Sequence, residues 1–163
     1  MKIVIGEYQQ NDWKQIVSLM SEFGAYLEKI DNMHKTQFKG GGAKYFTEKM
    51  LKEAREEQGK VYVAHIKDRL IGFIGGYIGS QDKEEQMEAI QTKPGIINEL
   101  YVAPQYRSKG IGKRLLAKLE DYFKSQACDI ARLDVFAPNK LARQFYALQG
   151  YKERSLIIMK PLK

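Results

Sequence analysis

A single cysteine in 163 residues rules out an intrachain disulfide, and so few thiols point to a reducing compartment. That cysteine, Cys128, has no special neighbours and reads as a helix-end packing residue. Only two histidines are present. His34 and His65 lie far apart and lack ligand-spaced companions, which argues against a metal site. No Ser-His-Asp or Cys-His arrangement suggests itself. No apolar run reaches membrane-spanning length, and Met1-Lys2-Ile3-Val4-Ile5 is too short for a secretion signal. A cytoplasmic protein without a membrane partner is the expectation. No internal repeat or low-complexity segment interrupts the chain.

What is present suits one domain over residues 1–163: hydrophobic content is 44% and charged content 29%, ordinary for a globular chain large enough for a proper core. The net charge of +7 is unevenly placed. Residues 1–92 hold 13 basic and 14 acidic side chains, whereas residues 93–163 hold 14 basic and 6 acidic. A polyanionic partner, nucleotide-like cofactor or nucleic acid, fits that split. The basic residues are not interleaved with aromatics as base stacking needs, so no nucleic-acid partner is expected.

Taken in order, Lys2 to Tyr8 alternates as a first strand. Asp12 and Gln15 resemble a capping box for a helix carrying Trp13, Ile16, Val17, Met20, Phe23, Leu27 and Ile30. A polar link, 31–42, ends in Gly40-Gly41-Gly42 and is expected to be mobile. A second helix runs from about Ala43 to Gln58. Lys60–Ile66 and Leu70–Ile78 form a hairpin, with Gly72, Gly75, Gly76 and Gly79 marking a bulge or close backbone approach. Ser80 to Lys93 is an acidic excursion, a solvated surface or an acidic rim. Ile96 to Val102 is a nearly continuous apolar strand, hence covered on both faces. Asn98 and Glu99 interrupt it, and the pleat points them to opposite faces. A carboxylate in such a strand is expected to have a raised pKa. Further on come a strand at Ala131–Phe136, a helix capped by Asn139 and stopped by Gly150, and a last strand from Tyr151 to Met159.

The most informative stretch runs from Glu99 to Leu116. A strand ends at Val102, and a helix begins near Gly110 with Ile111, Leu115, Leu116, Leu119, Tyr122 and Phe123 on one face. The first-turn region holds Arg107, Lys109, Lys113 and Arg114. Cations there cost roughly 0.3–1 kcal/mol each against the helix dipole, a penalty that a bound anion reverses. Dinucleotide and Walker loops both fail on spacing: the first needs glycine where Leu115 stands, the second glycine at Arg107 and Ser or Thr at Arg114.

Arg107-x-x-Gly110-x-Gly112, with Leu100-x-Val102 before it and Leu115-Leu116 after it, resembles the acetyl-CoA loop of the GCN5-related N-acetyltransferase (GNAT) superfamily. Asn139-x-x-Ala142-x-x-Phe145-Tyr146-x-x-x-Gly150-Tyr151 is similar to the terminal helix and strand of the same superfamily. The order β, α, α, β, β, β, α, β, α, β agrees. The resemblance implies an α+β acyl-CoA N-acyltransferase fold: a twisted, mostly antiparallel sheet with a splayed parallel pair, flanked by helices. It implies acetyl-CoA as co-substrate, a primary amine of a small molecule or peptide as acceptor, and a homodimer as one assembly. The enzyme class implied is an acyltransferase moving groups other than aminoacyl groups. A non-catalytic CoA-binding regulatory domain is the alternative.

By that resemblance the cofactor would lie along Leu100, Tyr101 and Val102, on the turn Arg107, Ser108, Lys109, Gly110, Ile111, Gly112 and Lys113, and against Asn139 and Tyr146. Asn139 is equally explained as a helix cap. Glu99 is the candidate base, alone or through a water aligned by Asn98. Tyr146 is the candidate acid for the leaving sulfur, and a backbone N–H near Tyr101 or Val102 the oxyanion donor.

Overall fold

Pleat and helical periodicity sort the apolar residues of this chain into two layers. In the computed structural model, which describes residues 2–162, strands β1 (Val4–Glu7), β2 (Lys60–Ile66), β3 (Arg69–Ile78) and β4 (Pro94–Val102) form an antiparallel run. Strand β5 (Ile130–Arg132) joins β4 in parallel, and the spatial order is β1-β2-β3-β4-β5. Helices α1 (Trp13–Ile30) and α2 (Gly42–Glu56) bury Ile16, Met20 and Met50 with Val63 and Phe73 on one face. Helix α4 (Ile111–Ser125) covers the other, its stripe Ile111, Leu115, Leu116, Leu119 and Phe123 fully buried against Ile71, Ile74 and Ile97. The fold is α+β, as its pattern implies.

Helix α1 starts differently from expectation. Asp12 accepts the Gln9 N–H at 2.9 Å and pairs with His65 at 2.9 Å, while Gln15 reaches across to Asp68 and Leu70 at the β2–β3 turn. The link 31–41 is tied at its root. Buried Asp31 accepts N–H bonds from Met33, Lys35 and Thr36, and these hold its carboxyl down at about 2. The glycine triplet serves as a helix start, with Gly41 left-handed at φ +85°.

Three elements of the C-terminal half depart from the sequence pattern. The acidic excursion contains a short helix, α3 (Lys83–Glu88), closed by a reciprocal Asp82–Glu85 cap. Strand β5 pairs over three residues and ends at Arg132, short of Phe136. After helix α5 (Lys140–Leu148) no last strand forms: residues 151–162 carry no regular structure, and all beyond Tyr151 are exposed. A strand needs a neighbour for its backbone groups, and none of the five described strands pairs with that segment.

Candidate active site

The site sits where β4 and β5 part. They pair only at Pro94–Ile130, Gly95–Ala131 and Ile96–Arg132. Beyond Ile96 the edge of β4 that faces β5 meets no strand, so an open slot runs alongside residues 97–102.

A bulge in β4 decides what points into this region. Opposite β3, Gly75 pairs with Glu99 but Gly76 pairs with Ile97, so Asn98 is the extra residue. Two residues facing one partner residue interrupt strict alternation. Asn98 and Glu99 therefore line the same cavity, of about 270 Å³, together with Lys49 and Glu53 of α2 and Arg132 and Asp134 from β5 and its continuation. The expectation of opposite faces is corrected by this bulge. The Asn98 amide nitrogen donates to Glu53, which leaves its Oδ1 buried with no hydrogen-bond partner among the described residues. Glu99 is half-buried, and burial pushes its carboxyl up to about 7; Lys49 acts against the shift and Glu53 with it.

The cavity charges sort themselves. Lys49 pairs with Glu53 at 3.7 Å. Arg132 pairs with Glu85 of α3 at 2.7 Å, so the acidic excursion reaches the cavity rim. Glu99 and Asp134 are left without an ion-pair partner among the described residues.

Tyr146 projects from α5, edge-to-face with Phe145 and Tyr151 at ring-centroid distances of 5.1 and 5.4 Å. Burial first, and then the neighbouring Glu99 carboxylate, hold its hydroxyl above the ordinary tyrosine value. Glu99, forty-seven residues earlier in sequence, is thus close enough for its charge to act on the Tyr146 hydroxyl.

The turn before α4 contains an unusual run of free donors. The Arg107 N–H is taken by the Pro104 carbonyl at 3.2 Å, and the first helical bond is Arg114 N–H to Gly110 O at 3.0 Å. Between them no protein group accepts from the N–H groups of Ser108, Lys109, Gly110, Ile111, Gly112 or Lys113 among the described residues. Ser108 and Gly110 both have positive φ, 60° and 73°. Alternation of this kind curls successive amides into an anion-binding concavity. The first turn of α4 has no acidic residue and no side-chain cap. A diphosphate fits this donor set: it would supply the missing acceptors and offset the Lys109 and Lys113 charges.

The remaining named residues fall as follows. Arg107 does not face the turn. Its Nε donates to the Val102 carbonyl at 2.8 Å, and its guanidinium lies 5.4 Å from the ring centres of both Tyr26 and Tyr101. The Tyr101 side chain belongs to the α1/α2 core, so only its backbone borders the slot; Leu100 and Val102 pack toward α4. Asn139 caps α5, its Oδ1 accepting from Ala142 N–H and from the Tyr26 hydroxyl at 3.1 Å. Tyr26, Glu53, Arg132 and Asp134 escaped the sequence reading, since nothing in local spacing ties them to a strand remote in the chain. Burial raises the Cys128 thiol, consistent with a packing role.

The sequence profile described as the Acetyltransferase (GNAT) family matches residues 27–151, 125 of the 163. An uncharacterized N-acetyltransferase of Methanocaldococcus jannaschii is 38% identical over 97 residues, 59% of this chain and 54% of its own length. A spermidine N(1)-acetyltransferase of Thermoplasma acidophilum is 31% identical over 113 residues, 67% of this chain and 63% of its own. The chain thus spans roughly half to two thirds of these curated relatives. The BH1408 protein of Bacillus halodurans, at 20% identity, superposes with a TM-score of 0.79 over 98% of this chain and 99% of its own, a likeness of fold.

Proposed function

The chain belongs to the GNAT acetyltransferase family, and on that premise we propose that it transfers an acetyl group from acetyl-CoA to the primary amine of a small cationic acceptor. The observation that carries this reading is the run of six unpartnered N–H groups from Ser108 to Lys113, placed at the end of the slot between β4 and β5. Acetyl-CoA supplies an activated thioester; the residues do the rest. The 108–113 amides hold the diphosphate, and Lys109 and Lys113 add charge. The free edge of β4 offers backbone donors to the acyl oxygen. Asn139, the cap of α5, and Tyr146 of α5 complete the cofactor contacts in this reading.

An ammonium cannot attack, so the acceptor must first lose a proton. Glu99 takes it, directly or through a water held by Asn98 Oδ1. A base is most effective with its pKa near the working pH, and about 7 meets that condition. The acceptor class follows from the cavity charges: with Lys49 paired to Glu53 and Arg132 to Glu85, Glu99 and Asp134 favour a positively charged amine. The naming of one relative as a spermidine acetyltransferase supports the same class. A volume of about 270 Å³ suits a slender chain better than a globular epitope.

Free-thiol release from acetyl-CoA, screened across polyamines, aminoglycosides, amino acids and peptides, tests the reading. Release that depends on a polycationic amine supports it. CoA binding without release under any acceptor would instead support the non-catalytic regulatory alternative.

Two consequences of Glu99 can be measured. At fixed acceptor, kcat/KM should rise with pH through a midpoint near 7 as Glu99 ionises, and Glu99→Gln should erase that limb and lower the plateau by about a hundredfold or more. The stability effect has its own sign. A carboxyl at about 7 in the fold and near 4.5 when unfolded binds its proton more tightly in the native state. Its stabilising contribution is present below 4.5 and lost as pH rises through 7. Glu99→Gln should therefore stabilise the protein at pH 8, by up to about 3 kcal/mol, and hardly at pH 4. Denaturant midpoints at the two pH values check this.

A further inference from the structure

We propose that Tyr26 of α1 is a positioning residue for the cofactor: it reaches both sides of the slot between β4 and β5 and fixes the Asn139 amide, so that the amide nitrogen is presented to bound acyl-CoA. The identity of that ligand rests on the acetyl-transfer reading; the contacts made by Tyr26 do not.

The two sides of the slot lack a tie of their own. Pairing between β4 and β5 stops at Ile96 and Arg132. Successive residues of a strand turn their backbone groups to opposite edges. Ala103 donates its N–H to Ile71 on the β3 side, so the Val102 carbonyl lies on the edge bordering the slot. Arg107 Nε donates to that carbonyl at 2.8 Å. On the other side, the chain beyond β5 runs through Leu133 and Asp134, which wall the cavity, to Asn139 at the start of α5. Tyr26 touches both. Its ring centre lies 5.4 Å from the Arg107 guanidinium, and its hydroxyl donates to Asn139 Oδ1 at 3.1 Å, across 113 residues of sequence. Among the described residues, no other side-chain hydrogen bond joins α1 to the chain beyond β5.

What the hydroxyl does follows from the capacity of the amide. Asn139 is 8% exposed. Its oxygen has two lone pairs, and two donors fill them: the Ala142 N–H at 3.2 Å and the Tyr26 hydroxyl. A backbone N–H can only donate, so the oxygen end of the amide is the one turned toward Ala142. The nitrogen carries two further donors, and neither has an acceptor among the described residues. A buried donor left unpaired is costly, and a ligand bearing neutral oxygens would relieve it. The contacts from Val102 through Arg107 and Tyr26 to Asn139 lie between Glu99 and the 108–113 turn in the direction of the strand. The part of acyl-CoA that passes them is therefore its amide-bearing arm, with the diphosphate on one side and the thioester on the other. Without the Tyr26 hydroxyl the helix cap survives, but one of the two bonds that stop the amide from turning is gone.

Tyr26→Phe keeps the ring against Arg107 and removes only the hydroxyl. Asn139→Asp keeps both acceptor contacts and removes the two free donors. Calorimetric titrations of the wild-type chain, Y26F, N139D and the double variant compare CoA with ADP, which has the diphosphate but no arm. Y26F should weaken CoA binding about threefold to tenfold, the range of one lost hydrogen bond, and leave ADP affinity and the thermal midpoint unchanged. The KM for acetyl-CoA should rise in step while kcat at saturation stays near wild type. In the N139D background, Y26F should weaken CoA no further, because the hydroxyl acts through the amide. Wild-type CoA affinity in Y26F overturns the inference. So does an equal loss for CoA and ADP, and so do additive losses in the double variant. A wild-type chain that binds neither CoA nor ADP removes the acetyl-transfer reading and this inference with it; the other three outcomes leave that reading standing.

Discussion

Gly112→Glu should abolish CoA binding while leaving the protein folded. Gly112 is the second residue of α4, and its N–H is one of the six free donors. A glutamate there sets a carboxylate against the bound diphosphate and competes for the same amides. Hydrogen bonds to a charged group contribute about 1.5–3 kcal/mol each. Losing one or two of them, with like-charge repulsion added, should weaken affinity by at least about a hundredfold. Unfolding would not account for such a loss. A side chain at 112 begins 3.5 Å from the Phe145 ring, ordinary contact distance. Helix propensity improves from glycine to glutamate, and an acid in the first turn suits the dipole. Isothermal titration with CoA beside thermal unfolding separates the two effects: unaltered affinity would remove the turn from the binding site.

Tyr146→Phe should cut turnover by about a hundredfold and leave CoA affinity near normal. The leaving sulfur needs a proton or a strong donor. A hydroxyl held above its ordinary value by burial and by Glu99 stays protonated at any working pH. Transfer from it to a thiol of ordinary value, ~8.5, is uphill; burial of the sulfur beside the buried hydroxyl would raise its own value as well and narrow the gap. Phenylalanine keeps the ring contacts with Phe145 and Tyr151. The hydroxyl has no protein partner among the described residues, so its removal should cost no stability. A wild-type rate in single-turnover experiments would eliminate this tyrosine as the acid.

These expectations trace back unevenly to the sequence. The α4 stripe is legible because six apolar residues at helical spacing allow only one inward face; five of them are buried and Tyr122, at its margin, is half-buried. The glycine turn is legible for a similar reason: positive φ and a helix start leave their mark on residue type. Asp82 followed by Glu85 is a capping signature that could have revealed α3 within the acidic excursion. Asn98 was less accessible. Gly75 and Gly76 announced a bulge, yet which residue of β4 is extra depends on a pairing between strands that local pattern does not encode. Arg107 shows the same limit. Its spacing suits an anion site, but a carbonyl and two aromatic rings brought up by α1 and β4 claim its guanidinium. The last strand expected over Tyr151–Met159 does not form, since the residue pattern of a segment does not fix where it lies relative to the sheet.

The extra residue in β4 has an implication for how such chains can change length. Loss of one residue from a central strand ordinarily inverts every side chain on one side of the gap. Here Ile97 already faces α4 and Glu99 already faces α2, the parity of two adjacent residues. Excising Asn98 would splice them into a regular ladder with Gly75 and Gly76 and leave every other side chain on its own side. What would vanish is the Asn98–Glu53 hydrogen bond, one tie between β4 and α2 at the cavity wall. The middle of this sheet is thus a place where a single-codon deletion could alter acceptor choice and spare the architecture.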